Sequence, residues 1–476
     1  MTFRLPEDGL LLVDFDGTLL HHCSTELYLD CARPAPLAGT LLWLVDGLKP
    51  WRLARHPKAE LVWRDWIRVL LVTLLFPWTP WIYRKRVAAM AEAWTNRPLV
   101  EALRAAGEHR CAVVTHGFGF IIAPLMAAMD LGAWPLVAAP LLGGALHRRR
   151  GKAAAARARL GARALTTATL ITDSAGDDAD LIATSRPPIL VTPPEDWLKP
   201  ALAGTYRPFA YLEQAKHPGQ RHLTRVHLGE DWVVLVLACA LASPAPVTLA
   251  LGLLFLVLAY FIIYEQGYYE NDHRATTKEP TPFLSDSQRA WTGAMSAPWA
   301  WTFALGFSLP GVALVATVHA IDPRTWVLAP PAALSGWTVT ALALLIGWLL
   351  LLVVSRFLFA LFNRIAPKTR ILLFPWLQAL KGIGVAWALL LPVSPVGGAL
   401  LLGQVVSRWL PYAVYRMGGP RWATPDQTVR LLVTLLGALT TLLVVTDGGQ
   451  PHWSALVILA WCAFKARREI RDLLLG

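Results

Sequence analysis

The chain is 476 residues long, 55% hydrophobic and of mean hydropathy +0.45, which excludes one soluble globular domain and calls for a membrane part beside a soluble one. Its formal net charge of +12 would allow nucleic-acid binding, but cytoplasmic loops and lipid contact explain such a charge better in a membrane protein, so no nucleic-acid partner is expected. The five cysteines, Cys23, Cys31, Cys111, Cys239 and Cys462, make neither CxxC pairs nor a regular framework, which points to reduced thiols and no zinc site.

The opening MTFRLPEDG carries no long apolar run, so no signal peptide is expected and the soluble part is placed in the cytoplasm. Leu10–Leu20, LLLVDFDGTLL, is the most chemically specific stretch. Its four apolar residues, Leu10 to Val13, predict a buried parallel strand, and DFDG sets two carboxylates where that strand ends. Open α/β sheets bind their ligands at that edge. Asp14 and Asp16 flank Phe15, so both can face a crevice while Phe15 points away, and Gly17 lets the backbone turn. Two carboxylates this close suit Mg²⁺, and equally a nucleophile paired with a general acid. Taken alone they also fit an ordinary strand-to-turn signal.

Between Asp16 and Thr115 lie about a hundred residues, more than one crossover needs, which predicts a helical cap over roughly 20–105. Leu37–Leu48 and Leu61–Tyr83 are rich in Leu and Trp, interleaved with Arg52, Arg55, Lys58, Arg64, Arg68, Arg84, Lys85 and Arg86. Trp63, Trp66, Trp78 and Trp81 beside these cations fit either a segment lying on a bilayer or a cap whose apolar faces pack on one another; Val69–Trp78 is too short to span.

Cys111–Gly119, CAVVTHGFG, predicts a second strand ending in a hydroxyl, Thr115, and a glycine turn. Lys152, in RRRGKAAAA, opens an Ala-rich helix, and Thr169–Leu181, TLITDSAGDDADL, predicts a third strand running into an acidic loop. In this order the stretches resemble motifs I to IV of the haloacid dehalogenase (HAD) superfamily of phosphatases. The resemblance implies a Rossmann-like α/β domain with a helical cap over residues 1–190. Asp14 would attack phosphorus, Asp16 protonate the leaving oxygen, and Thr115 and Lys152 hold the phosphoryl group. Mg²⁺ would sit on Asp14, the Asp16 carbonyl and Asp173, with Asp177 completing the metal-binding acid pair and Asp178 an extra acid beside it. His116 stands where many relatives have a smaller or less basic residue. A degenerate phosphatase fold kept as a binding module is the alternative.

From Arg186 to Glu230 prolines and basic residues replace the strand–helix rhythm, and residues 191–230 read as a basic linker in which Gln220–His227 can lie at the lipid headgroups. In residues 231–476 eight candidate spans follow: Trp232–Ala242, Val247–Tyr264, Trp299–Val318, Trp337–Phe362, Ile371–Leu391, Gly398–Tyr415, Val429–Val445 and Trp453–Phe464. Basic residues fall in alternate loops, from Arg274, Lys278 and Arg289 to Lys465–Arg471, whereas Ser394–Val396 and Asp447–His452 are nearly free of Lys and Arg. The positive-inside rule then puts both termini in the cytoplasm of a multi-pass protein of the inner (plasma) membrane.

Tyr264–Leu284, YEQGYYENDHRATTKEPTPFL, gathers Glu265, Glu270, Asp272 and Glu279 at the end of the second predicted span, and helical spacing puts Asp272 and Glu279 on one face. It resembles the first aspartate-rich motif, NDxxDxxxD, of the UbiA superfamily of intramembrane prenyltransferases. Asn271 and Asp272 are retained, Ala275 and Glu279 replace the later Asp residues, and no second DxxxD appears. Where that second motif would lie stand Arg356, Asn363, Arg364, Lys368, Arg370, Lys381, Arg408 and Arg416. Cations within apolar helices are costly unless paired or functional; snorkelling or salt bridging would explain each, and together they fit a phosphate-rich ligand.

The second resemblance implies an all-α, UbiA-like membrane domain of about eight helices. Asp272 and Glu279 would bind Mg²⁺, and Glu265, Asn271, Arg356, Arg364, Lys368, Lys381 and Arg408 would bind substrate. Relatives that move phosphoribose from phosphoribosyl diphosphate to a polyprenyl phosphate need such a pocket. Three functions stay open. One is a bifunctional enzyme that makes a polyprenyl-phosphate sugar phosphate and then dephosphorylates it for cell-envelope glycan synthesis. Another is a prenyltransferase on a small or aromatic acceptor with a separate phosphatase, and the third a phosphatase anchored by a non-catalytic membrane part.

Overall fold

Leu11, Leu12 and Val13 are wholly buried and form β1 (Leu11–Val13), the central strand of a five-stranded parallel sheet. The computed structural model describes residues 5–241, 243–278, 284–321, 336–419, 426–444 and 453–475. They fold as two compact units, Met1–Arg207 and Pro208–Gly476.

In the first unit β2 (Cys111–Phe118), β3 (Leu136–Ala139), β4 (Thr169–Thr172) and β5 (Arg186–Leu190) join β1 in the order β3-β2-β1-β4-β5. Val13 stands opposite Val113 on β2 and Ile171 on β4. Alternate side chains feed two layers. Leu11, Val13, Val113 and Ile171 enter one core with Leu99, Leu103, Ile121 and Ile122. Leu12, Ala112, Val114 and Leu170 enter the other, with Ala156, Leu165 and Leu181. Both faces of the sheet are covered, which is why its central strands read as unbroken apolar runs. Val191 and Leu202 also pack in the first core, so the unit extends past residue 190, to Arg207.

Helices Ser24–Leu29, Ala35–Leu48, Asp65–Leu75 and Thr79–Trp94 fill the long connection between β1 and β2. Arg68 is buried and paired with Glu26 through two bonds of 2.5 and 3.1 Å. Glu26 also accepts the Ala201 backbone N–H at 2.8 Å. The Tyr83 hydroxyl donates to the Ile121 carbonyl at 2.8 Å, tying the Thr79–Trp94 helix to the sheet domain.

The second unit is helical. Leu223–Ala240 winds largely with i→i+5 bonds, followed by helices Pro246–Lys278, Ala297–Ile321, Trp337–Arg364, Arg370–Ala379, Pro395–Arg416, Asp426–Val444 and Trp453–Leu475. Among the described residues four helices are long and apolar enough to cross a membrane: Pro246–Thr277, Ala297–Ile321, Trp337–Arg364 and Arg370–Ala388. The count rises to five if the bent pair Glu60–Leu75 and Thr79–Trp94 is taken as one broken span. Eight were expected from the apolar runs. The difference lies in short or diluted runs: the run from Trp232 continues a helix bearing Arg225, His227, Glu230 and Asp231, and Pro395–Arg416 carries Gln404 and Arg408. Ala242 and Val445, at the ends of two predicted spans, lie outside the described residues. On the spans Ile346, Phe357, Leu372 and Trp387 are exposed, as lipid-facing side chains should be. Some polar groups inside are paired across helices: Trp348 Nε1 donates to Ser308 Oγ at 2.8 Å, and the Tyr260 and Ser355 hydroxyls lie 2.7 Å apart.

Candidate functional site

The carboxyl edge of the parallel sheet gathers the chemistry of the first unit. Asp14 follows β1, Thr115 lies on β2 and Asp173 follows β4. Asp14 is buried; its Oδ1 accepts the Phe15 backbone N–H at 2.8 Å and its Oδ2 lies 2.9 Å from Lys152 Nζ. The same Nζ lies 2.6 Å from Asp178 Oδ1, so one ammonium bridges two carboxylates. Lys152 begins helix Lys152–Leu160, and Asp180 Oδ2 accepts the Ala153 N–H at 2.9 Å, satisfying a donor the helix leaves open. Gly151 precedes it at φ +87, where a Cβ would stand 2.5 Å from Asp180 Oδ2. A glycine therefore sets the position from which Lys152 reaches Asp14.

Asp16 turns the other way, its Oδ1 accepting the Ser24 backbone N–H at 2.6 Å. Asp173 is half-buried, with the Thr18 hydroxyl 3.5 Å from its Oδ1. Gly17, at φ +75, lies so close to it that a Cβ would meet Asp173 Oδ2 at 2.4 Å. This loop and the end of β4 thus form a tight cradle. Among the described residues no three His, Cys, Asp or Glu side chains form a metal cage. Mg²⁺ uses one or two carboxylates with waters and substrate oxygens, and Asp14 with Asp173 on adjacent strands offers two; this donor set fits Mg²⁺.

Charge and burial work against one another here. Burial, reinforced by the charges of Asp178 and Asp16, pushes Asp14 above the usual carboxylate range against the pull of Lys152. Burial raises Asp16 to about 6, the Ser24 N–H opposing it. Lys152 is held charged: Asp14 and Asp178 outweigh the cost of its burial. His116 is pushed down to about 3 by burial and by Lys152 and Arg148, and is neutral near pH 7. Arg148 Nε also donates to the His116 carbonyl at 2.9 Å.

Of the two adjacent acids after β4, Asp177 is exposed, while Asp178 is wholly buried and accepts the Thr172 hydroxyl at 2.6 Å. The Asp178 N–H bonds back to the Ser174 carbonyl at 3.3 Å, a turn that carries its side chain inward. Asp178 is therefore the acid that joins Asp14 and Lys152, a part that the order of motifs assigned to no residue. Thr115 is buried on β2, and its hydroxyl accepts the Gly117 N–H at 2.9 Å.

In the second unit a cleft of about 320 Å³ is lined by Lys216, Asp231, Asn271, Arg370, Lys381 and Arg408, with Tyr264, Tyr268 and Tyr412 among its walls. Lys381 Nζ stands 4.3 Å above the Tyr264 ring. Arg408 pairs with Glu230 at 2.7 Å and Asp426 at 3.4 Å. Among the described residues, Asp272, Glu265, Arg356, Arg364 and Lys368 are not part of its lining. Asp272 is buried and bonded to Lys216 at 2.6 Å, the Tyr211 hydroxyl at 2.7 Å and Gln288 at 2.7 Å. Glu265 accepts the Phe209 and Leu212 backbone N–H groups, each at 2.9 Å. Arg356 pairs with Glu270 at 2.8 Å, and Arg364 and Lys368 are exposed. Glu279 lies outside the described residues. Lys216, in the predicted linker, was not expected beside Asp272; nothing local marks a contact over 56 positions.

Residues 11–178 match the family model of haloacid dehalogenase-like hydrolases, a match that lies within the first unit. No curated protein and no solved structure matches the chain.

Proposed function

We propose that residues 11–178, a haloacid dehalogenase-like hydrolase domain, act as a Mg²⁺-dependent phosphomonoesterase with Asp14 as nucleophile. The observation that carries this reading is the buried bridge of Lys152 Nζ, 2.9 Å from Asp14 and 2.6 Å from Asp178. Phosphoryl transfer asks a protein chiefly for fixed positive charge and an in-line nucleophile. An Asp14 oxygen bonds to phosphorus as the bond to the leaving oxygen breaks, and Asp16 gives that oxygen its proton. Water then attacks the phosphorus of the Asp14 acyl phosphate, Asp16 takes the proton, and phosphate departs with Asp14 restored. Lys152 and the Thr115 hydroxyl hold phosphoryl oxygens in both steps. Asp14, the Asp16 carbonyl and Asp173 would hold Mg²⁺, which would supply further positive charge to those oxygens. In Asp14→Asn, phosphate release should fall to background while the protein stays folded and membrane-bound; turnover equal to the parent's removes the reading.

For the helical unit the fuller reading is transfer of phosphoribose from phosphoribosyl diphosphate to polyprenyl phosphate at the inner membrane, both termini cytoplasmic, with the phosphatase then removing the sugar phosphate. The cations of the cleft, Arg370, Lys381, Arg408 and Arg416, support a diphosphate ligand. A second reading, a membrane part that anchors the phosphatase without chemistry of its own, is favoured by Asp272, whose carboxylate Lys216, Tyr211 and Gln288 already hold. Membranes carrying the chain should consume labelled phosphoribosyl diphosphate in a Mg²⁺-dependent way that Asp272→Asn abolishes. No consumption leaves the anchor.

A further inference from the structure

The cap of the first unit carries an apolar corner that its own fold leaves uncovered. Helices Glu60–Leu75 and Thr79–Trp94 meet at 113°. At that corner Leu74 is 66% exposed, Leu75 56%, Trp78 45% and Trp81 61%. Four large apolar side chains within eight positions are more than the scattered exposure of an ordinary surface, and such a patch marks an interaction site.

The corner is built, not frayed. The Thr79 hydroxyl donates to the Phe76 carbonyl at 2.7 Å, Trp78 Nε1 donates to the Arg33 carbonyl at 2.6 Å, and Phe76 is buried beneath. On their other faces the two helices are engaged in the unit itself, through the buried Arg68–Glu26 pair and the Tyr83 bond to the Ile121 carbonyl. The pair is apolar enough to count as a broken span, but these buried polar anchors tie its other faces to the soluble fold.

Its charge selects the partner. Between Asp65 and Glu92 the chain has no acidic residue, and Arg84, Lys85 and Arg86 follow the corner directly. Arg84 and Lys85 are exposed, and Lys85 Nζ lies 3.6 Å above the Trp81 ring; Arg86 is paired with Asp30 at 3.6 Å. Tryptophan, leucine and cations in one short segment suit the boundary between headgroups and acyl chains, with the cations at anionic phosphates. The chain's own candidate spans keep this unit tethered to a bilayer, so such a surface is always in reach.

We propose that this corner is a membrane-docking wedge: Leu74, Leu75, Trp78 and Trp81 enter the headgroup–acyl boundary of an anionic bilayer, and Arg84 and Lys85 meet its phosphates. The wedge and the catalytic edge share a helix, since Asp65 at its start lies 3.4 Å from Arg148, which holds the His116 carbonyl. Docking would therefore present the site to phosphate esters in the headgroup plane. The docking itself does not depend on the phosphatase reading.

The full chain, reconstituted in phosphatidylcholine vesicles containing phosphatidylglycerol, tests it. Leu75→Cys and Trp81→Cys carry an environment-sensitive fluorophore, with exposed Arg163→Cys as the reference position. The parent protein, whose Cys23 is half-buried and whose other cysteines are buried, gives the labelling background. At 75 and 81 the emission should shift to the blue and be quenched by lipids bearing a nitroxide high on the acyl chain, and at 163 neither should occur. Replacing phosphatidylglycerol by phosphatidylcholine should weaken the quenching. Emission at 75 and 81 like that at 163 overturns the proposal. So does a blue shift without lipid quenching, because the corner is then covered by protein, either the rest of the chain or a second copy. Two independent label sites keep the test decisive if one variant misfolds.

Discussion

Asp178→Asn removes one of the two carboxylates that share Lys152 while keeping the side chain's shape, and the Thr172 hydroxyl, 2.6 Å away, still finds a carbonyl oxygen. The shared nitrogen lies 2.9 Å from Asp14 and 2.6 Å from Asp178, so the two carboxylate oxygens are at most about 5.5 Å apart. At that distance and an effective dielectric of about 20, like charges repel by about 3 kcal/mol, an upper limit with an ammonium between them. At about 1.36 kcal/mol per pKa unit this is up to about 2 units on Asp14. The sign follows from the source: the charge of Asp178, like burial, disfavours ionised Asp14. Its removal lets Asp14 ionise at lower pH. The acid limb of kcat/KM for a soluble phosphomonoester, followed from about pH 4 to about pH 9 at fixed Mg²⁺, should move down by about 1 to 2 units. A limb that stays in place or moves up, in a variant that remains folded, refutes the shared-ammonium argument.

Two further outcomes follow from the same geometry. Asp16, raised to about 6 by burial, holds its proton below that pH and loses it above. The kcat/KM for an alkyl phosphomonoester, which reports the first step, should therefore decline as pH rises through that value, and Asp16→Ala should lower it by about 10²–10⁴ while largely sparing kcat/KM for an aryl phosphate whose leaving group needs no proton. Equal loss on both substrates would take the acid role from Asp16. Arg68→Met strands the buried Glu26 carboxylate and should cost about 3–5 kcal/mol, read as a lower unfolding midpoint of the first unit in detergent. Glu26→Gln on that background should recover part of the loss, and an unchanged midpoint in Arg68→Met would show that the pair is not holding the cap.

The central strand and its acids were legible because a strand covered on both faces must be apolar throughout, so DFDG stands out at its end. Lys152 was legible too, by its place at the head of an Ala-rich helix. That Asp178 rather than its neighbour reaches Lys152 was not: adjacent residues differ there only by the turn that the Ser174 carbonyl and the Thr172 hydroxyl impose. The number of spans was not legible either, since an apolar run of a dozen residues serves a protein core as well as a bilayer. Arg408 reads as a ligand-binding cation in sequence, yet it spends at least part of its charge on Glu230 and Asp426, which come from distant helices. The exposed corner of the cap was half-legible: tryptophans beside cations are compatible with packing or with lipid, and the bend between the two helices left two of them, Trp78 and Trp81, and two leucine neighbours in the open.

The shared hold on Lys152 bears on the whole reaction cycle and not only on its first step. On the proposed mechanism Asp14 gives up its carboxylate charge when it is phosphorylated, and a lysine whose sole counterion was that carboxylate would then depend wholly on the incoming phosphoryl group for its balance. Asp178 never reacts, so the ammonium keeps one permanent counterion at 2.6 Å and turns its remaining attraction to the new phosphoryl group. The pocket thus changes occupant without ever holding an unbalanced cation. On the proposed mechanism that evenness between the two half-reactions would let one cation serve both the making and the breaking of the acyl phosphate.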